Sequence, residues 1–248
     1  MADISRKAWN KYIEVLRRLN DAAADQFKEY LRTHDIETRL QRDVAIEYAY
    51  ALATKYGEAS AEFAAQMYEA VARASDVVIE AAVPAETATY GEVAKTINGV
   101  LKQSTNIELI SGAVGRLVKQ SGVDTMCKNA LRDGAEWAWI PSGDTCAFCI
   151  TLASRGWQRA SKKALKNGHA EHIHANCDCT YAIRFNENTK VEGYNPEKYQ
   201  EMYYGAEGNT PQERINSMRR EHYAAHREQI LEQQREAVEP QNQINEGL

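Results

Sequence analysis

The stretch DGAEWAWIPSGDTCAFC, residues 133–149, is where the pattern of the chain changes. Before it, apolar residues recur at three- and four-residue steps, most clearly over residues 4–33, and this spacing is typical of amphipathic helices. Within it, AEWAWI alternates and places Trp137 and Trp139 on one side, as a strand does. The sequence therefore predicts helices up to Gly134 and a mixed helix and strand region after it.

The helical part divides at apparent stop signals. A second predicted helix covers roughly residues 40–55 and ends near Gly57, and a third runs past Val78 until Pro84 stops it. Further helical patterns follow at about residues 93–101 and 109–117, with a break at Ser121–Gly122 and a short last helix that ends at Gly134. Cys127, on that last helix, is predicted to be a buried small residue rather than a ligand.

The region after Gly134 is predicted to be α+β. Asp144 is expected to cap a short helix, Ala147–Arg155, which Gly156 closes. The alternating run CDCTYAIRF, residues 177–185, predicts a second strand with Tyr181 and Ile183 on one face.

A long polar helix is predicted near the end of the chain. Thr210, Pro211 and Glu213 have the form of a capping box with proline at the first helical position. The helix is expected to extend to about residue 237 and to be followed by a frayed tail.

Composition narrows the class of protein. The chain has 248 residues, of which 44% are hydrophobic and 26% charged, and this suits one or two domains with a sizeable core. A net charge of −5 gives no bulk attraction to nucleic acid. No secretory signal and no apolar run of about 18 residues is seen, so the sequence predicts a cytosolic chain that does not span a membrane.

Four of the five cysteines fall in two short patches. Cys146 and Cys149 form one pair, and Cys177 and Cys179 follow His174 in the other. A structural zinc ion takes four thiolate or imidazole ligands, often as two closely spaced pairs, and a reducing compartment disfavours disulfides. Five candidates compete for four places: either three cysteines and His174, or all four cysteines.

Other interpretations of the cluster are a redox pair, unliganded thiols or a catalytic zinc. A thioredoxin-like pair should lie in a βαβ pattern, which the helical first 134 residues do not provide. His169–Glu171 resembles the His-x-Glu of zinc deaminases, but there the Cys-x2-Cys follows that motif, whereas here it precedes it. We therefore expect His169 and His172 to be surface loop residues and the metal to be structural.

The combined motifs resemble the Mu F-like minor head proteins of tailed bacteriophages over about residues 135–186. Members of that family carry an Asp-x-Cys-x2-Cys segment and, later, a His-Pro-x-Cys-Arg-Cys or His-x2-Cys-x-Cys segment. The matching residues here are Asp144, Cys146, Cys149, His174, Cys177 and Cys179, together with LASRG at 152–156. Ala175 and Asp178 depart from the common proline and arginine, but neither change removes a ligand.

The resemblance implies a minor structural protein of the virion, without enzymatic activity. Such a protein would associate with the portal protein or the major capsid protein in the head interior, after assembly in the host cytoplasm, and would act in head assembly and in genome packaging or ejection. Contact with packaged DNA would be weak. The alternatives are a metal-dependent enzyme of the nuclease or deaminase type and a host zinc-bearing nucleic-acid adaptor.

Together these observations predict a mostly α fold. A helical region (1–134) is followed by a small α+β unit held by structural Zn²⁺ (135–190), and then by C-terminal helices and a tail (191–248).

Overall fold

The computed structural model describes residues 6–141, 145–161 and 180–245, and the side chains of 7–141, 145–161 and 181–228. These residues form seven helices and one three-stranded sheet, so the predicted mostly helical class is confirmed. The predicted zinc in the α+β region stays a prediction.

Contacts divide the chain into two compact units. The first comprises Met1–Gly143 and Gly156–Tyr194, and the second comprises Asp144–Arg155 and Asn195–Leu248. These units do not follow the sequence-based boundaries at residues 134 and 190. The reason is visible in the first unit, where the strands pack on helices that precede them in the chain.

Four helices form most of the first unit: α1 (Arg6–Thr33), α2 (Arg39–Ala74), α3 (Tyr90–Leu101) and α4 (Ile107–Asp133). Helices α1, α2 and α4 all contact one another, and α3 packs on α2 and α4. The amphipathic stripes predicted from sequence supply their core, in which Phe27, Val93, Ile110 and Val114 are fully buried. Burial of this apolar surface is the main force that holds the helices together.

Local signals explain where these helices begin and end. Thr38 and Thr89 each form a capping box, with Gln41 and Glu92 respectively, in which side chain and backbone groups bond reciprocally. Gly134 ends α4 in the left-handed conformation, at φ 67°, where a residue without Cβ is favoured.

The predicted helix ends at Gly57 and at Ser121–Gly122 are wrong, because α2 and α4 continue through them. A Cβ on Gly57 would lie 2.9 Å from Ser121 Oγ, and one on Gly122 would lie 2.7 Å from Ser60 Oγ. The absence of a side chain at these positions therefore permits close packing of α2 against α4. Tertiary packing offsets the low helix propensity of glycine here.

The third helix predicted between Gly57 and Pro84 does not exist as such, since α2 ends at Ala74. Residues 77–89, which we call the strap, have no regular secondary structure. Val78, placed on a helix face by the sequence pattern, is 99% exposed on the strap.

The sheet of the first unit contains β1 (Glu136–Ile140), β2 (Gln158–Arg159) and β3 (Thr180–Arg184) in the order β2-β1-β3, with antiparallel pairing. Trp139 pairs with Tyr181 across β1 and β3, so the first predicted strand is confirmed. The second is confirmed over Thr180–Arg184, and residues 177–179 of that prediction lie outside the described residues. Both strands contact α4. Ala138 and Ile140 are buried as well as the two tryptophans, so β1 is covered on both faces.

The second unit contains α5 (Ala147–Ala153), α6 (Pro196–Gly205) and α7 (Pro211–Asn245). The capping box at the start of α7 is confirmed: Glu213 N donates to Thr210 Oγ1 over 3.2 Å, and Thr210 N donates to Glu213 Oε2 over 3.1 Å. The helix extends to Asn245, past the predicted end near residue 237. No helix in the described ranges is long and apolar enough to cross a membrane.

Candidate metal centre

The cysteines of the first pair lie at the start of α5. Cys146 is the residue just before the helix, with extended backbone angles (φ −64°, ψ 154°), and Cys149 lies in the first turn. Ile150 N donates to the Cys146 carbonyl oxygen over 3.0 Å, which closes that turn. Two cysteines three residues apart at a helix start are a spacing often used by zinc ligands, so the predicted role of the pair stays open to test.

The turn is anchored by its apolar neighbours. Ala147 and Ile150 belong to the small core of the second unit, with Ala206 and Met218. Cys149 is buried and Cys146 is half-buried. One thiol is therefore held by packing, while the other remains accessible from solvent.

Hydrogen bonds complete the helix. Thr151 Oγ1 donates to the Ala147 carbonyl over 2.9 Å, and Ser154 Oγ donates to the Thr151 carbonyl over 2.9 Å. Gly156 follows at φ 63°, as expected of the residue that closes the helix. The helix ends at Ala153, two residues before the predicted Arg155, and the predicted cap Asp144 lies outside the described residues.

Cys146 and Cys149 are the predicted ligands that the structure describes, and no disulfide joins them. Thiolates are among the ligands that zinc prefers. The other predicted ligands, His174, Cys177 and Cys179, lie outside the described residues, as do His169 and His172. Within the described ranges, no three metal-binding side chains come together. The zinc site and the choice among its five candidate ligands therefore stay predictions.

The VG15 protein family matches residues 3–206. The chain belongs to the VG15 protein family. The name of that family indicates a viral gene product. Searches of curated proteins and of solved structures gave no match.

The VG15 family match covers the chain from α1 to α6 and stops before α7. It therefore includes the helical core, the sheet and both cysteine patches. The name of the family indicates a viral gene product. This agrees with the viral origin, though not with a specific role, that the resemblance to Mu F-like proteins implies.

The fifth cysteine of this VG15 family member belongs to the core, as predicted. Cys127 is buried on α4, and burial raises the pKa of its thiol, with a further contribution from Asp124. Burial also raises the pKa of the Tyr12 and Tyr181 phenols, and the nearby Cys127 adds to this effect. These groups are therefore neutral around neutral pH, and the thiolate that a metal needs is disfavoured.

The sequence interpretation missed the polar residues that hold the strap. Thr125 Oγ1 accepts from Ala85 N over 2.9 Å. Asn129 accepts from Val83 N and donates to the Val83 carbonyl, both over 2.9 Å. The Arg132 guanidinium donates to two strap carbonyls over 3.0 Å.

These three residues follow one another on α4 at four- and three-residue steps. Thr125 and Asn129 are buried, and such polar side chains require partners. In the sequence, these polar residues recur at helical spacing among the apolar residues of α4. That pattern could have indicated that another segment of the chain binds to this face of the helix.

Proposed function

We propose that this VG15 family member is a minor structural protein of a bacteriophage head, which associates with the portal protein or the major capsid protein during assembly and acts in genome packaging or ejection. The observation that carries the proposal is the Cys-x2-Cys turn at the start of α5, within a chain of a viral family. The same turn, with the later His174-x2-Cys177-x-Cys179 segment, underlies the resemblance to Mu F-like minor head proteins. The proposed location is the interior of the virion head, after assembly in the host cytoplasm.

The proposed metal is one structural Zn²⁺, held by Cys146, Cys149 and two of His174, Cys177 and Cys179. Four protein ligands would fill a tetrahedral zinc and leave no position for substrate, so the proposal assigns no catalysis to it. Binding of such an ion would stabilise the segment that supplies its ligands.

The proposed contact with the head lies on the first turns of α2. Leu40 is 74% exposed and Val44 is 47% exposed, and their spacing of four residues places them on one side of the helix. Single exposed apolar residues are common on protein surfaces. Two of them on one face of a helix form an apolar surface that the portal protein or the major capsid protein could bury. An acidic chain is expected to bind packaged DNA only weakly, and with steep salt dependence.

The proposal is tested by incorporation into procapsids. Phage defective in the gene would be complemented with wild-type protein or with the double variant Leu40→Ser and Val44→Ser, and procapsids would be purified and blotted. We expect the wild type to co-purify and the double variant to be depleted several-fold. The matched control, Ala51→Ser and Ala59→Ser, changes two exposed positions of the same helix and should be incorporated normally.

Two results would contradict the proposal. One is absence of the wild-type protein from procapsids and mature heads. The other is a monomer that hydrolyses nucleic acid or deaminates a nucleotide in a metal-dependent manner, because a catalytic zinc needs an open coordination position.

A further inference from the structure

Two histidines on α7 form a pair that the head-protein proposal does not use. The rings of His222 and His226 lie face to face, with centroids 4.4 Å apart and planes at 27°, so one ring must turn about its side-chain bonds before both can hold one ion. Both side chains are half-buried and therefore reachable from solvent. A spacing of four residues places two imidazoles on one face of a helix, where they can bind one metal ion.

A hydrogen bond sets the tautomer of the second ring. His226 Nδ1 lies 2.9 Å from the His222 carbonyl oxygen. A carbonyl oxygen can only accept, so Nδ1 carries the proton and the lone pair of neutral His226 is on Nε2. A backbone carbonyl that holds one ring nitrogen in this way is the usual support of a histidine that binds metal through the other.

The pair provides two nitrogen ligands. Among the described side chains, no third metal-binding residue lies close enough to complete a group of three. An ion that prefers imidazole would therefore be held by two protein ligands and by water. Affinity should follow the general order for divalent ions, in which Cu²⁺ binds more tightly than Ni²⁺ or Zn²⁺.

We propose that His222 and His226 form a two-imidazole site on α7 for a divalent transition-metal ion. The site is distinct from the predicted cysteine zinc site and does not rest on the proposed function. Metal binding would link two successive turns of α7 and stabilise the helix at this point.

The experiment uses the untagged full-length chain as purified, freed of unbound metal by dialysis and then titrated with NiCl₂ in a calorimeter near neutral pH. We expect one further equivalent of Ni²⁺ to bind. His222→Ala and His226→Ala should each weaken that binding by about tenfold or more, because the second ligand acts at high effective concentration. Electron paramagnetic resonance of one equivalent of Cu²⁺ should show nitrogen coordination that the variants lose.

Two controls separate chelation from a simple count of histidines. The double variant H226A/R227H keeps the number of histidines but moves the second ring by about 100° around the helix, away from His222, so it should bind as weakly as His226→Ala. His34→Ala removes the histidine that follows α1 and should leave the titration unchanged. Equal Ni²⁺ affinity in the wild type and H226A/R227H would overturn the proposal, as would wild-type protein that takes up no additional Ni²⁺.

Discussion

Tyr68, in the last two turns of α2, donates a 2.9 Å hydrogen bond to Oδ2 of Asp133, the last residue of α4. The same carboxylate accepts from Arg132, through Nε over 2.7 Å and through NH2 over 2.8 Å. Arg132 in turn donates to the carbonyls of Glu80 and Ala81. One carboxylate therefore connects two helices and the strap.

This connection predicts a pH dependence of stability. The Arg132 hydrogen bond, and then that of Tyr68, lower the pKa of Asp133 below its ordinary value. A carboxyl whose pKa is depressed in the folded state stabilises the protein above its unfolded pKa of about 4, and this contribution is lost as the pH falls through the folded pKa. Asp133→Asn should therefore lower the free energy of unfolding at pH 7, and its deficit relative to the wild type should shrink below about pH 4.

Urea unfolding at several pH values between neutral and acid measures this difference. Glu58→Gln, at an exposed position of α2, is the matched control and should follow the wild type. A deficit of Asp133→Asn that stays constant down to the acid limit of folding would show that the carboxylate charge does not contribute.

Close packing of α1 against α4 predicts opposite effects of two glycine substitutions. A Cβ on Gly115 would lie 2.9 Å from the Asn20 carbonyl oxygen, a backbone atom that cannot rotate away. Gly115→Ala should cost about 1–3 kcal/mol of stability, as overpacking usually does. Gly99→Ala on α3 has nothing within 4 Å and should be neutral or stabilise by about 0.5–1 kcal/mol. Thermal unfolding of the two variants compares them directly, and equal melting temperatures would refute the packing argument.

Attachment of the strap is tested at Asn129. Asn129→Ala removes both hydrogen bonds to Val83 and leaves backbone groups without these partners, at a cost of about 1–3 kcal/mol. Amide hydrogen exchange should then accelerate in residues 77–89 more than elsewhere in the first unit. Lys128→Ala changes an exposed neighbour on the same helix and should leave exchange in the strap unchanged. Acceleration spread evenly over all helices would instead indicate a global loss of stability.

The predicted zinc site is tested by thiol alkylation and elemental analysis. Protein purified without added metal should contain about one equivalent of zinc, and Cys146→Ser or Cys149→Ser should lower that content. Chelation should expose Cys146 and Cys149 to iodoacetamide, whereas buried Cys127 serves as an internal control that stays protected until the protein unfolds. Well-folded wild-type protein with far less than one equivalent of zinc would exclude the site.

Sequence patterns predicted the features that depend on nearby residues. The stripe on α1, the capping box at Thr210 and the helix end at Gly134 were all recognisable, because they depend on residues within a few turns of chain. Gly57 and Gly122 were misread as helix ends, because their role depends on atoms of Ser121 and Ser60, far away in sequence.

The candidate site could be predicted in part for the same reason. The short helix around the first cysteine pair was recognisable from its sequence, and the structure places Cys146 and Cys149 at its start, while their role as ligands stays a prediction. The strap could not be predicted, because the apolar residues near Val78 continue the spacing of the preceding helix. The interactions that hold the strap come from polar residues of α4, which are distant in sequence. The spacing of apolar residues predicts which face of a helix or strand is apolar. It does not predict which distant segment of the chain packs on that face.

The strap also has a consequence for the order in which the chain is synthesised. The α4 side chains that bind Ala81, Val83 and Ala85 follow these residues by 40 to 51 positions in sequence. A ribosome adds residues at about 5–20 per second, so the strap waits several seconds for its partners after it has been made. During that interval the backbone groups that α4 later binds are accessible to other molecules, whereas Val78 is exposed in the folded chain as well. Unbound backbone groups of the strap therefore distinguish an unfinished chain from a folded one.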